Sequence, residues 1–385
     1  MKEYLMTYAE RSVELLKELI VIDSSQPEGN EDKIVNHIAS CFPKNAVMHK
    51  IKHDAKRSSL VVEVPGERDE GCLAFVGHVD TVAFGDPSKW VYPPLSAYET
   101  DGKIFGRGAS DMKAGVSAMT AAALALLESG RRPEKSVYFC YTADEENGGM
   151  GICSMVGQGI FNKVGEIIIA EPTENRIGTC EKGALWMRIT AHGVQAHGSR
   201  PELGRNAIDM LMDFHHGLRA FLDMKTSHPI LGRASISVTR LTGGIMTNVI
   251  PAEAIMELDI RIIPGQDHRL VCTRAEEVIR RICSEDARIR LDLEVLNNRP
   301  AMETPADAPI LSRMRKLLGE KAMNTEEKGL YFYTDMSQIT VFHPIPFIIM
   351  GPGDDKLAHQ TDEYVMVDSV KTATDIYIRY LDEYY

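Results

Sequence analysis

The sequence predicts an α/β protein: a mainly parallel sheet with helices on both faces, interrupted by an inserted ferredoxin-like α+β lid domain. Three observations support this. Short, nearly continuous apolar runs alternate with helix patterns over the first 175 residues, as strands buried on both faces require. From about residue 180 the texture changes to alternating strands and amphipathic helices in the order β-α-β-β-α-β, the split βαβ arrangement. The helix and strand alternation of the first part then resumes. At 385 residues the chain is also long for a single core.

The first element, "MKEYLMTYAERSVELLKELI", mixes acids and bases at helical spacing and reads as an amphipathic surface helix rather than a signal peptide. "SLVVEV" and "CLAFVGHV" are apolar strands. "SDMKAGVSAMTAAALALLESG" reads as a helix with Ser110 as N-cap, Asp111 in the first turn and Gly130 just past the end. "SVYFCYT" and "EIIIAEP" are two further strands. Then come the strand "ALWMRITAHG", the helix "GRNAIDMLMDFHHGLRAFLD" and the strands "ASISVTRLTGG" and "AEAIMELDIRIIP". The helix "DHRLVCTRAEEVIRRICS" and the strand "RIRLDLEVL" complete the insert. "APILSRMRKLLG", "PFIIMG" and "VDSVKTATDIYIRYLDEYY" close the chain. These elements place a catalytic domain at 1–178 and 295–385 and a lid at 179–294.

Composition narrows the function. Hydrophobic residues at 44% and charged residues at 25% fit a soluble globular protein. A net charge of -12 argues against a nucleic-acid partner, because neutralising phosphates needs a basic face. No apolar run approaches the about 20 residues needed to cross a bilayer. The seven cysteines are scattered with no C-x-x-C pair, as expected of reduced thiols in a cytoplasmic protein.

The stretch "VYFCYTADEENGG" runs from a strand into Asp144, Glu145 and Glu146. Like charges at a buried strand end repel one another and lose hydration, so either the turn is solvated or a positive charge sits among them. In parallel sheets ligands bind beyond the carboxyl ends of the strands. "GHVDTV" delivers His78 and Asp80 to that rim, two apart and so on one strand face. "AEPT" delivers Glu171, "GRGASDMKAG" carries Asp111, and "LAHQTDEYV" adds His359. Singly, each has an ordinary reading as a surface pair, a helix-start acid or a structural histidine. Together they form a set of nitrogen and oxygen donors without thiolates, suited to zinc, cobalt or manganese. Two divalent ions sharing a carboxylate form a hydrolytic centre and make a crowd of acids tolerable.

In order and wording, "GHVDTV", "DGKIFGRGASDMKAG", "ADEENGG", "AEPT", "EKGALWMRITAHGVQAHGSRPELGRNAI", "TNVIP", "DIRIIPG" and "GPG…AHQTDEYV" resemble the dizinc metallopeptidase family. That family includes acetylornithine deacetylase, succinyl-diaminopimelate desuccinylase, aminoacylase and carboxypeptidase G. The resemblance runs from near residue 60 to 370. It implies a catalytic domain with a small lid, and a pair of metal ions, zinc first, with cobalt or manganese as alternatives. It implies Asp111 as the bridging ligand, His78 and Glu171 at one ion, and Glu146 and His359 at the other. Asp80 is then the partner that orients His78, and Glu145 the general base. In the lid, His197 is implied as donor to the oxyanion, in a homodimer formed through the lid. Asn248 and Arg261 are implied as a clamp on the substrate carboxylate, while Gly351 and Gly353 let backbone N–H groups approach the substrate.

The implied activity is hydrolysis of the amide of a small N-acyl amino acid. "YFYTDMSQI" departs from the Gly-rich, Thr/Ser-containing segment of desuccinylases, and Ala83 replaces the proline that follows "GHxDTV" in the family. The first departure, not the second, ranks a generic N-acyl-amino-acid deacylase ahead of the acyl-specific enzymes, and a metallo-dipeptidase or carboxypeptidase follows. An inactive metal- or peptide-binding relative is the remote alternative, since Glu145 and every implied ligand are present. A two-metal phosphatase or nuclease conflicts with the acidic charge.

Overall fold

The structure, a computed structural model, describes residues 6–384. Of the helix expected over 1–20, residues 1–5 lie outside the described residues. The helix itself is α1 (Tyr8–Val21), opened by a capping box between Thr7 and Glu10. The other principal helices are α2 (Lys113–Glu128), α3 (Ala207–Phe221), α4 (His268–Cys283), α5 (Pro309–Glu320) and α6 (Val367–Tyr384). The principal strands are β1 (Val47–Lys52), β2 (Ser58–Val64), β3 (Arg68–His78), β4 (Lys135–Thr142) and β5 (Val164–Ile169). They continue as β6 (Gly183–His192), β7 (Ser235–Gly243), β8 (Glu253–Ile262), β9 (Arg290–Arg299) and β10 (Phe347–Ile349). The chain divides into two compact units. One runs through Thr179 and resumes at Thr304–Lys328 and Thr334–Tyr385; the other is Cys180–Glu303 with Gly329–Tyr333.

The first unit is built on a sheet that includes the order β1-β2-β4-β3-β5-β10. β3 runs parallel to β4 and β5, and β5 parallel to β10, while β1 and β2 pair antiparallel at one side. Leu73, Ala74, Phe75 and Val76 are all fully buried, which is why the run lacks alternation: both faces of β3 are covered. Phe75 stacks on Phe139 at 5.1 Å and meets the edge of Tyr377 from α6 at 5.2 Å. At Gly77, a Cβ would lie 2.9 Å from the Met112 side chain and 3.3 Å from Met119 of α2, so helix and strand end pack closely. The consequence for the site is direct: β3, β4 and β5 end side by side at His78, Thr142 and Ile169.

The second unit follows β6-α3-β7-β8-α4-β9, with every pair in the sheet order β7-β8-β6-β9 antiparallel. Leu185, Met187 and Ile189 on one face of β6 pack with Phe214, Leu218 and Val278 from the two helices. The opposite face carries the cross-strand pairs Trp186–Asp259 and Ala184–Arg261. Among the described residues, no helix is long and apolar enough to cross a membrane. All seven cysteines are free thiols.

One helix start differs from the expectation. α2 begins at Lys113, not after Ser110, and its N-cap Met112 makes no side-chain cap bond. Ser110 instead donates its hydroxyl to the Asp354 carbonyl at 2.9 Å, and Asp111 lies ahead of the first helical turn. Hydrophobic spacing marks the helix but not the turn leading into it. Gly130, with φ +67°, stands just past the C-cap as expected.

Candidate metal centre

Close backbone approach brings the site together. A Cβ on Gly115 in the first turn of α2 would lie 1.9 Å from the Ala170 carbonyl oxygen. Only glycine lets the helix start, with Asp111 ahead of it, settle against the strand end that carries Glu171. Gly351 and Gly353 serve the same packing: their Cβ positions fall 2.3 Å from the Ala170 and Ser110 carbonyl oxygens respectively. The expectation that these glycines open backbone N–H groups to a substrate is therefore corrected for Gly351. Its N–H donates to Thr173 Oγ1 at 3.2 Å, and the space beside it is filled by the chain's own backbone.

His78, Asp111, Glu146, Glu171 and His359 converge. His78 Nε2 lies 3.1 Å from Asp111 Oδ1 and 3.6 Å from Glu171 Oε1. His359 Nε2 lies 3.5 Å from Asp111 Oδ2 and 3.0 Å from Glu146 Oε2. One carboxylate, Asp111, thus stands between two imidazoles, each of which has a second carboxylate. One donor atom each from His78, Asp111 and Glu146 lie within 4.8 Å of one another.

The electrostatics show what such a cluster lacks. Burial pushes the carboxyls of Glu145 and Glu171 well above the usual range, and neighbouring acids push them further. Burial and then Asp111 raise Glu146 as well. Burial disfavours a charged His78, yet Glu171, Asp111 and Asp80 outweigh it and hold its pKa well above the ordinary value. The bond to Glu146 likewise raises His359. Among the described residues, the only ion pairs of Asp111, Glu146 and Glu171 are with these two histidines. Glu145 Oε1 and Glu171 Oε2 are buried without a hydrogen-bond partner. A buried, acid-rich group of nitrogen and oxygen donors with unmet oxygens fits divalent cations, whose charge favours the ionised carboxylates.

A second acidic group, Glu174, Asp354 and Asp355, also has three closely spaced donors. It already holds a cation of its own chain, since Lys328 pairs with Glu174 at 3.8 Å and with Asp355.

Asp80 departs from its expected contact. Its carboxylate is 3.7 Å from His78 Nδ1, while that nitrogen lies 3.0 Å from the Asp80 main-chain carbonyl. The carboxylate instead accepts the N–H groups of Glu145 and Glu146, each at 3.1 Å. It orients the acidic turn, and the carbonyl orients the ring. The resemblance implies a carboxylate contact and a shared strand face would allow it, but β3 ends at His78 and that parity ends with it.

Glu363 was missed. Fully buried, it accepts Arg107 at 2.5 Å and the N–H groups of Gly108, Ser110 and Asp111 at 3.2, 2.8 and 2.9 Å. It holds the turn that presents Asp111, and burial pushes it up to about 7 against the pull of Arg107. Its only signal was its place four residues after His359. Asp335, from the departing "YFYTDMSQI" segment, accepts the Thr142 hydroxyl at 2.6 Å, and its charge raises Glu145 and Glu171.

Within the second unit, exposed His197 accepts from the Ser199 N–H through Nδ1 at 3.1 Å and pairs in register with Val249, beside Asn248. The Asn248 carbonyl accepts the Gly198 N–H at 2.7 Å. Arg261 already spends its fork on Asp259, at 2.8 and 3.0 Å.

Comparison with known proteins gives a consistent result. The chain is 26% identical over 407 aligned residues to a Staphylococcus aureus (strain N315) protein named "Probable succinyl-diaminopimelate desuccinylase", covering 98% of this chain and 96% of that protein. It is 30% identical over 342 residues to the succinyl-diaminopimelate desuccinylase of Paracoccus denitrificans, covering 83% and 85%. The M20 family metallo-carboxypeptidase Sso-CP2 of Sulfolobus solfataricus shares the fold, with a TM-score of 0.79 at 17% identity over 97% and 99% of the two chains. The model of peptidase family M20/M25/M40 matches residues 74–383, and the chain belongs to that family.

Proposed function

We propose that this chain is a metal-dependent amidohydrolase that removes the acyl group from a small N-acyl amino acid. The convergence of His78, Asp111, Glu146, Glu171 and His359 around one shared carboxylate carries this reading. Asp111 is assigned as the bridging ligand, His78 and Glu171 as ligands of one cation, and Glu146 and His359 of the other. When bound, two divalent cations, zinc first with cobalt or manganese as alternatives, supply Lewis acidity and lower the pKa of water to about 7. Glu145 is assigned as the general base, which takes a proton from the attacking water and returns it to the leaving amine; its Oε1 is buried with no hydrogen-bond partner of its own. Asp80 sets its position by holding its N–H.

From the lid, His197 is assigned to donate a hydrogen bond to the developing oxyanion, a contribution of about 3–4 kcal/mol per donor. Arg261 and Asn248 are assigned to the substrate carboxylate, so Arg261 exchanges Asp259 for the ligand. The strand order of the second unit supports reading the lid as ferredoxin-like. Its edge strand β7 leaves Val238 and Leu241 exposed, which supports pairing with a second copy through the lid. The two desuccinylases favour an acylated amino acid over a dipeptide, although a dipeptide presents the same amide.

The test is release of free amine from N-acetyl and N-succinyl amino acids and from dipeptides by zinc- or cobalt-loaded protein. Metal-dependent release from the acylated substrates is expected. Release only from dipeptides would move the assignment to a peptidase, and release of phosphate or nucleotides instead would overturn it.

A further inference from the structure

We infer that Gln26 is a positioning residue that locks the Glu145–Glu146 turn in place through Asp80. This rests on the reading of Glu145 as the base. Residues 24–26 run beside the end of β3: Ser24 donates its hydroxyl to the Val79 carbonyl at 2.7 Å, and the Gln26 N–H donates to the Thr81 carbonyl at 2.8 Å. The Gln26 side chain is thereby fixed against Asp80. Its Nε2 donates to Asp80 Oδ2 at 3.1 Å and to Glu31 Oε1 at 2.9 Å, while its Oε1 accepts Arg57 Nη2 at 2.9 Å.

Arg57 settles the orientation of the amide. A guanidinium only donates, so the amide oxygen must face it and the NH2 must face the two acids. Asp80 and Glu31 are both fully buried, and the Gln26 amide is the donor they share. Asp80 Oδ2 in turn accepts the Glu146 N–H, and Oδ1 the Glu145 N–H. Arg57 reaches the same turn from its other side, 3.6 Å from Asp144 Oδ1. A continuous path therefore runs from Arg57 through Gln26 and Asp80 to the backbone of the base and its neighbouring ligand. Without Gln26, Asp80 loses its side-chain donor and the freedom of its carboxylate passes to both N–H groups. Loss of a partner behind a metal site typically lowers affinity or turnover about 10–100-fold.

The test compares Gln26→Leu with the double variant Gln26→Leu/Glu31→Leu in the full-length protein. Leucine keeps the volume and removes the amide; the second change removes the buried acid whose Oε1 loses that amide donor, its Oε2 having kept the Asn30 N–H. Three readouts are taken: melting temperature, the kcat and KM split, and the visible absorption of the Co2+-loaded protein. A positioning role predicts kcat about 10-fold lower with KM nearly unchanged and an altered Co2+ spectrum in the single variant. In the double variant it predicts recovery of melting temperature without recovery of kcat. If kcat returns with stability, Gln26 only supports the fold and the inference fails. Wild-type kcat and Co2+ spectrum in Gln26→Leu would also overturn it. Should the single variant not fold, the double variant still gives all three readouts. Should the wild type cleave no acylated substrate, the functional reading falls, but the Co2+ spectra still decide the role of Gln26.

Discussion

Replacing Glu363 by glutamine swaps one acceptor oxygen for an NH2 group at a position ringed by donors. Oε1 receives the N–H groups of Ser110 and Asp111; Oε2 receives Arg107 and the Gly108 N–H. Whichever way the amide turns, two donors face another donor. If the NH2 lies toward Ser110 and Asp111, two buried N–H groups go unmet at about 1–3 kcal/mol each, or about 2–6 kcal/mol in all. If it lies toward Arg107, a buried guanidinium loses its carboxylate, which costs about 3–5 kcal/mol. The smallest loss on either path is about 2 kcal/mol. Because the displaced N–H groups belong to the turn carrying Asp111, metal affinity falls with stability. Denaturant unfolding of the metal-free protein and calorimetric Zn2+ titration measure the two effects. A stability change below about 1 kcal/mol with unchanged Zn2+ affinity would refute this account of Glu363.

Glu145→Ala is expected to retain both metal equivalents while kcat falls by about 10²–10⁴-fold, as removal of a general base does. Metal analysis beside steady-state kinetics checks it, and undiminished turnover removes Glu145 from its role. In the second unit, His268 is buried, with Nδ1 bonded to Asn298 at 2.6 Å and Nε2 unpartnered. Burial lowers its pKa. The unfolded chain therefore takes up a proton as pH falls through about 6.5 while the folded unit resists. Its contribution to stability is present above that pH and is lost as pH falls toward the depressed folded value. Unfolding curves from pH 8 to pH 5 should show this loss, and His268→Gln should flatten it.

The strand ends were legible because a strand buried on both faces writes an unbroken apolar run, and the first polar residues after it mark the rim. His78, Glu145, Glu146 and Glu171 were found in this way. Asp111 entered as an acid at a helix start and His359 as a histidine near the C-terminus, since neither follows a strand, and the family resemblance then implied the ligand roles of all five residues. The insert was legible from its alternation: Leu185, Met187 and Ile189 face the helices, and Trp186 and Arg188 do not. What periodicity could not show is which partner a buried polar group finds. Glu363 meets Ser110 and Asp111 across more than 250 residues, and Gln26 meets Asp80 across 54. The Asp80 carboxylate turned to the acidic turn rather than to the ring beside it, because two N–H groups there lacked any other acceptor. Gly115 read as an ordinary helix residue until the Ala170 carbonyl showed that no side chain fits.

The shared carboxylate is most directly tested by counting Zn2+ bound per chain in the wild type, Asp111→Ala and His359→Ala. Two equivalents are expected in the wild type, one tightly held after loss of His359, and weakening of both after loss of Asp111. A wild-type chain that binds no Zn2+, or an Asp111→Ala chain that still holds two equivalents as tightly, would contradict a paired metal centre at this rim.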